Sequence, residues 1–358
     1  MRFLFYLGHP AHYHNFKHSV RLLTAKGHEV KVVARGKDVL FDLLEGEDWD
    51  LVRLPERKAA GGKLGLAANI AAREVTILRI ARKFRPNLMA GTDLVITHVG
   101  RLLGIPSVIV NEDDSAAIPL MAKYAFPYAT AILAPNCCDQ SPANHKKIGY
   151  EGYHELAYLH PNLFSSSRDD LPEKLQHPEP YFLLRFASLH AHHDAGRRGI
   201  SDELALKLIA LLRPHGKVYI TSERPFGESL EPYRLTVHPR DIHHVMAHAA
   251  MYIGDSQTMA AEAAVLGVPS IRYNDFVGEL SYLEELEHKY GLTRGIRAGK
   301  EELLLTTVEE YLADIDLPTT RETARISQNT KLQHLLDNTI EVTPFWVECF
   351  EKLAAKNR

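Results

Sequence analysis

The chain has 358 residues, 45% hydrophobic and 24% charged, with a formal net charge of −3. That length suits two domains of ordinary size, and the near-neutral balance excludes a broad basic field for nucleic acid. No apolar run approaches the ~18 residues of a membrane span, and three cysteines, two of them adjacent (Cys137, Cys138), give neither a disulfide framework nor zinc spacing. The opening Met1 to Gly8 is apolar but lacks a small-residue cleavage site, so it reads as a buried first strand of a cytoplasmic protein.

The first half alternates short apolar runs with amphipathic ones. Strands are predicted at 2–7, 29–34, 51–54, 87–90, 106–110 and 130–134, with helical patterns between them, as from Phe16 to Ala25 and Ile70 to Lys83. After Pro135 the rhythm breaks into a proline- and serine-rich stretch that reads as a connector. A second alternation follows: strand 181–186, helix 201–213, strands 217–221 and 234–237, helix 240–248, strand 251–253, helix 257–266, strand 269–272 and helix 278–290. The pattern predicts an α/β protein of two Rossmann-like parallel-sheet domains facing a cleft, residues 1–150 and 180–338, with 151–179 as connector. Residues 339–358 are expected to form a C-terminal helix that packs back on the N-terminal domain.

The polar loops mostly follow predicted strands, where ligands of such sheets bind. Gly8 to Asn15 holds His9, His12 and His14. Two readings compete: His12 or His14 supplies a general base with His9 beside the substrate, or the histidines merely cap and cover a helix. Asn111-Glu112-Asp113-Asp114 ends another strand, with Asn111 a substrate contact and Glu112 a candidate base; Thr92-Asp93 is a weaker site of the same kind. In the second half Arg185 can pair with a diphosphate or with a local acid. His193, in the histidine cluster 190–193, and Asn274 and Asp275 are candidate sugar contacts. His238 opens a stretch that would hold a base through backbone groups, or simply starts a helix. Twenty histidines raise the question of metal, but no HExxH and no nearby cysteine partners support one. No P-loop, GxGxxG or GxSxG occurs either.

The most informative stretch is 251–273, MYIGDSQTMAAEAAVLGVPSIRY. A strand ends at Gly254-Asp255-Ser256 and a helix opens there. Free amides at a helix start, with Ser256, Gln257 and Thr258, can hold phosphate, and Glu262 can accept bonds from a ribose diol. An ordinary βαβ unit with Asp255 or Ser256 as N-cap is the alternative.

Gly254-Asp255-Ser256, Glu262 and Leu266-Gly267-Val268-Pro269 resemble the nucleotide-sugar motif of GT-B folds, among them lipid-linked N-acetylglucosaminyltransferases and the non-hydrolysing UDP-N-acetylglucosamine 2-epimerases. The resemblance implies that Ser256, Gln257 and Thr258 bind a diphosphate and Glu262 a ribose. The epimerase pattern has two glycines after the serine, where Gln257 and Thr258 stand here. The whole chain is similar to a family known as domain of unknown function 354. The matching stretches are Gly8 to Ala11, Tyr150 to Pro161, Arg185 to Asp194 and His238 to Glu262.

Three functions are therefore expected in order. The first is a GT-B-type glycosyltransferase using a nucleotide-diphosphate sugar, with UDP foremost, in polysaccharide or glycoconjugate synthesis. It needs no cofactor or metal, no nucleic acid and no transmembrane span; its acceptor is a glycan or lipid-linked, and the basic and apolar segment Lys58 to Lys83 reads first as a solvated amphipathic helix and second as a peripheral membrane contact. The second is an epimerase that uses Asp93, Glu112 or the 190–193 histidines as acid and base. The third is a nucleotide- or glycan-binding protein without turnover.

Overall fold

A computed structural model describes residues 1–36, 39–54, 62–188, 198–316 and 318–356. Two compact units divide the chain, Met1–His160 with Ile340–Arg358, and Pro161–Thr339. Residues 151–179 are thus shared between them. Tyr153, Leu156, Tyr158 and Leu159 bury in the first unit, whereas Leu171 and Leu175 join a core of the second.

The first unit holds seven strands: β1 (Arg2–Leu7), β2 (Glu29–Arg35), β3 (Asp50–Leu54), β4 (Leu88–Gly91), β5 (Ser107–Val110), β6 (Ala131–Pro135) and β7 (Lys147–Tyr150). They form one parallel sheet in the order β3-β2-β1-β4-β5-β6-β7. A parallel sheet is covered on both faces, so its central strands are apolar throughout, as in Phe3 to Leu7. The chain reverses direction in strand order after β3, and β1 and β4 lie side by side there. The loops that follow them therefore emerge next to each other, the position where open α/β sheets bind ligands. The helix Pro10–Ala25 starts directly after β1, with Pro10 in its first turn and His9 as N-cap, the imidazole accepting from the Ala11 amide.

The last helix, Val342–Ala355, belongs to this unit. Trp346, Val347 and Phe350 are fully buried, with Phe350 against Phe5 and Trp346 against Phe16. Thr343 Oγ1 donates to the Ala157 carbonyl at 2.8 Å, and the Ile340 amide donates to Glu151 at 2.9 Å.

The second unit holds β8 (Tyr181–Phe186), β9 (Lys217–Ser222), β10 (Met251–Gly254), β11 (Ser270–Tyr273) and β12 (Thr293–Ile296), all parallel, in the order β12-β11-β10-β8-β9. Alternation along β8 feeds two cores: Phe182, Leu184 and Phe186 enter one, Tyr181 and Leu183 the other. Three elements differ from expectation. Residues 234–237 make only an isolated bridge, Ile220 to Arg234: the Leu235 amide donates to the Ile220 carbonyl at 2.8 Å, while the Arg234 amide turns back to Glu231 at 3.0 Å. The strands β7 (KIGY) and β12 (TRGI) do form, each a four-residue edge strand whose polar and glycine positions hide the apolar signal.

Candidate functional site

In the second unit the turn expected to hold phosphate is assembled from neighbouring strand ends. Gly254 closes β10 in register with Arg185 of β8. Ser256 then caps the helix Gln257–Val265, its hydroxyl accepting from the Met259 amide at 3.4 Å. Gln257 and Thr258 occupy the first two helical positions, whose amides have no intrahelical carbonyl to bond. Both are half-buried, and Gln257 Oε1 has no hydrogen-bond partner among the described residues.

Asp255 is the keystone of this turn. It is 2% exposed, and its carboxylate accepts from the amides of Ala187 (2.5 Å) and Ile200 (3.2 Å). Burial pushes its carboxyl up to about 6, with the two amides opposing that rise. Gly199 makes the approach feasible: a Cβ there would overlap Asp255 Oδ2 and come 2.9 Å from its Cβ and Cγ. Asn274, expected at a sugar, is instead fully buried. Its amide donates to the Asp255 carbonyl at 3.1 Å and accepts from Phe276 at 2.9 Å, so the side chain is spent on holding two loops. Asp275 accepts from the Arg198 amide (2.9 Å) and guanidinium (3.2 and 3.3 Å).

Arg185 pairs with Glu223, whose second oxygen accepts from the Ser188 amide at 3.1 Å; Arg185 Nε is buried with no partner among the described residues. Of the two readings of this arginine, the local ion pair is present. Glu262 is 5% exposed, and its Oε1 lies 2.9 Å from His243 Nε2, itself 2% exposed. His238 is exposed before the helix Ile242–Ala247, its Nδ1 accepting from the Arg240 amide at 3.3 Å. His193 lies outside the described residues, as do its neighbours His190 and His192.

In the first unit a second polar group gathers where β1 and β4 end. The Gly8 amide donates to His12 Nδ1 at 3.1 Å, so a neutral His12 carries its proton on Nε2, beside the Thr92 hydroxyl. Asp93 caps the helix Leu94–Leu103 and binds Arg73 at 2.5 Å; Arg73 also donates to the Tyr6 hydroxyl at 3.2 Å. Burial raises the Tyr6 phenol, and the Asp93 charge adds to it. His9 is exposed at the helix start. His14, expected as an alternative base, is 7% exposed, with its ring tilted against Tyr158 at 5.4 Å.

Behind β5, Asn111 Nδ2 donates to the Asp113 carbonyl (2.6 Å) and Gln140 Oε1 (3.0 Å). Glu112 Oε2 accepts from the His154 amide at 3.3 Å and stands 3.5 Å from His154 Nδ1. His154 is fully enclosed, edge-on to Trp346 at 5.1 Å, and burial lowers it to about 3.

Sequence reasoning did not find Arg73, Tyr6 or His154 as members of these groups, whereas His243 ends the stretch from His238 that was expected to hold a base through backbone groups. The roles of the first three arise from distant chain segments, and no local spacing signals them. Among the described residues no three His, Cys, Asp or Glu gather in a way that holds a metal, and no helix is long and apolar enough to cross a membrane.

Comparison with known proteins places the architecture. The chain superposes on UDP-GlcNAc 2-epimerase from Neisseria meningitidis, solved bound to UDP-GlcNAc, with a TM-score of 0.59, 12% identity, and coverage of 94% of this chain and 100% of that one. It superposes on the spinosyn forosaminyltransferase SpnP with a TM-score of 0.60, 17% identity and 99% of both chains. Acinetobacter baumannii MurG gives 0.57, 14% identity, and 98% and 100% coverage. The two parallel α/β units are thus of the GT-B type shared by glycosyltransferases and this epimerase. No family model matches the sequence. No curated protein matches it either.

Proposed function

We propose that this chain is a GT-B-type glycosyltransferase that takes a sugar from a nucleotide diphosphate, with UDP as the nucleotide. It would transfer that sugar to a glycan or lipid-linked acceptor in polysaccharide or glycoconjugate synthesis in the cytoplasm. The observation that carries the reading is the turn after β10: a helix start with two amides unclaimed by the helix, next in register to Arg185 and on the same helix as Glu262. Amides and a guanidinium fixed in advance stabilise the charge that builds on the departing diphosphate, the larger part of the barrier. In this reading Ser256, Gln257 and Thr258 receive the diphosphate. Arg185 exchanges Glu223 for a phosphate oxygen, and Glu262 holds the ribose with His243 behind it.

The acceptor is assigned to the first unit, against the 8–15 loop. His12 has its Nδ1 already bonded by Gly8, so it serves as a donor through Nε2, and Glu112 takes the acceptor's proton. The bond from the anomeric carbon to the diphosphate oxygen breaks as the acceptor oxygen attacks. No cofactor enters this scheme; the nucleotide-sugar is the substrate. The similarity to domain of unknown function 354 belongs to the same reading.

The test uses purified full-length protein. Saturating UDP, at about 100 times its Kd, should stabilise it by about 2.7 kcal/mol in thermal melts, and a UDP-sugar with a suitable acceptor should release UDP. If no diphosphate nucleotide shifts melting, the nucleotide-sugar reading falls. Incubating UDP-GlcNAc in heavy water without acceptor distinguishes the epimerase, which would place deuterium at sugar C2. Binding with neither outcome marks a protein without turnover.

A further inference from the structure

The turn that follows β6 carries adjacent cysteines. Cys137 is half-buried and Cys138 is 1% exposed, their sulfurs are 3.8 Å apart, and neither is in a disulfide. Both line a cavity of about 460 Å³ together with Asn136, Asp139, Asn144 and Lys147. The Lys147 ammonium donates to the carbonyls of Asn136 (3.0 Å) and Cys138 (2.6 Å), which sets a cation at the same turn. Cys137 is the more exposed of the two residues and the one an oxidant in solution reaches first.

The same turn holds the acidic loop in place. Cys138 Sγ donates to the Glu112 carbonyl at 2.8 Å. A thiol has one hydrogen, so the hydrogen between the two sulfurs comes from Cys137. Around this bond the Asp139 amide donates to Asp114 Oδ1 (2.7 Å), the Ser115 amide to the Asp139 carbonyl (2.8 Å), and Gln140 Nε2 to the Asp113 carbonyl (2.9 Å). Segment 111–115 is thereby built on segment 138–140, and whatever reshapes the cysteines reshapes the surroundings of Glu112.

We propose that Cys137 and Cys138 form a reversible disulfide with each other and that its closure releases the Glu112 loop. The oxidant is a small-molecule disulfide such as oxidised glutathione. The Cys137 thiolate attacks one of its sulfurs, the glutathione S–S bond breaks, and one glutathione leaves and takes up a proton. Cys138 then attacks the Cys137 sulfur, the mixed S–S bond breaks, and the proton of Cys138 passes to the second glutathione, which leaves as the thiol. Two protein thiols are oxidised and one glutathione disulfide is reduced to two thiols. The closed sulfur of Cys138 has no hydrogen to give the Glu112 carbonyl. Adjacent residues have Cα atoms about 3.8 Å apart, below the usual disulfide range of about 4.4–6.8 Å. The ring is therefore strained and easily reduced, which suits a regulatory pair rather than a staple.

The full-length protein, treated with oxidised glutathione, alkylated and peptide-mapped, should lose two hydrogens within the peptide bearing Cys137 and Cys138. Cys349, buried in the last helix, should remain free and serve as the internal control. Dithiothreitol should reverse the change. Amide hydrogen exchange over Asn111 to Ser115 should accelerate on the order of tenfold in the oxidised form, and not in treated Cys137→Ser. Cys138→Ser, which keeps a hydroxyl donor, should retain protection that Cys138→Ala loses. A stable glutathione adduct on Cys137 without ring closure overturns the proposal, as does closure that leaves exchange at 111–115 unchanged. The link to catalysis rests on Glu112 as base, but none of these readouts involves substrate. Failure of nucleotide binding would thus refute the proposed function and leave this result standing.

Discussion

His154 sits where water does not follow: it is 3% exposed, against Trp346 and beside Glu112. Burial lowers its folded value to about 3, while an unfolded histidine titrates near ~6.5. Between those limits the unfolded chain binds a proton that the folded chain refuses. The stabilising effect is therefore complete above the unfolded value and is lost as pH falls toward the folded one, at about 1.4 kcal/mol per pH unit. Both tryptophans, Trp49 and Trp346, lie in the first unit, so their fluorescence reports its unfolding alone. Urea midpoints followed this way should fall between pH 6.5 and 4.5 in the wild type, and His154→Gln should flatten the slope. A mutant slope equal to wild type would place the acid sensitivity elsewhere. At the other candidate group, His243→Leu removes the 2.9 Å partner of Glu262. It should cost about 1–3 kcal/mol of stability and weaken UDP binding on the order of tenfold, about 1.4 kcal/mol. Calorimetric titration decides this, and unchanged UDP affinity would leave the pair only structural. Ser256 and Arg185 were legible from sequence because a cap and a strand end are local patterns. The partners His154 and Arg73 were not, because each meets its site across a long loop closure.

Elements obey the same division between local and distant causes. The helix at Gln257 is written in its own sequence: Ser256 as cap, then alanines, then Gly267 to stop it. What fixes the entrance to that helix is nonlocal, namely Asp255 reaching the Ala187 and Ile200 amides past a glycine with no side chain. Gly199→Ala should therefore destabilise the second unit by about 1–3 kcal/mol through overpacking and weaken nucleotide binding with it. Ser256→Ala should cost only about 1 kcal/mol. A melt in which the two variants behave alike would contradict the tight approach at Gly199. Most strands were legible because buried parallel strands are long apolar runs. The edges β7 and β12 were not, since KIGY has two apolar residues split by a glycine and TRGI only one, with no continuous apolar run to read. Residues 234–237 erred the other way: alternation was present, but the Arg234 amide turns back to Glu231 and the Leu235 amide gives Ile220 a lone bond that no ladder extends.

At the scale of the whole molecule the chain crosses between units twice, and the second crossing gives the first unit its last piece. The second unit is continuous, Pro161–Thr339, with both its cores drawn from its own residues. The first unit is not. Val342, Trp346, Val347 and Phe350 come from the far end of the chain and are all fully buried. Each such side chain contributes roughly 1.5–3 kcal/mol on burial, so their sum is comparable with the ~5–15 kcal/mol that holds a typical domain together. A chain ending at Thr339 should accordingly lose the cooperative unfolding of its first unit, whereas the second should still melt as a unit. Limited proteolysis with mass analysis should then return a resistant fragment close to 161–339 and rapid cleavage within 1–160. A truncated protein whose first unit resists protease as the full chain does would mean that this helix only covers a core already complete without it. The buried Trp346 and Phe350 argue against that, because their removal leaves a hole between Phe5, Phe16 and His154 that close packing cannot refill without moving β1, the strand from which the Gly8 loop springs.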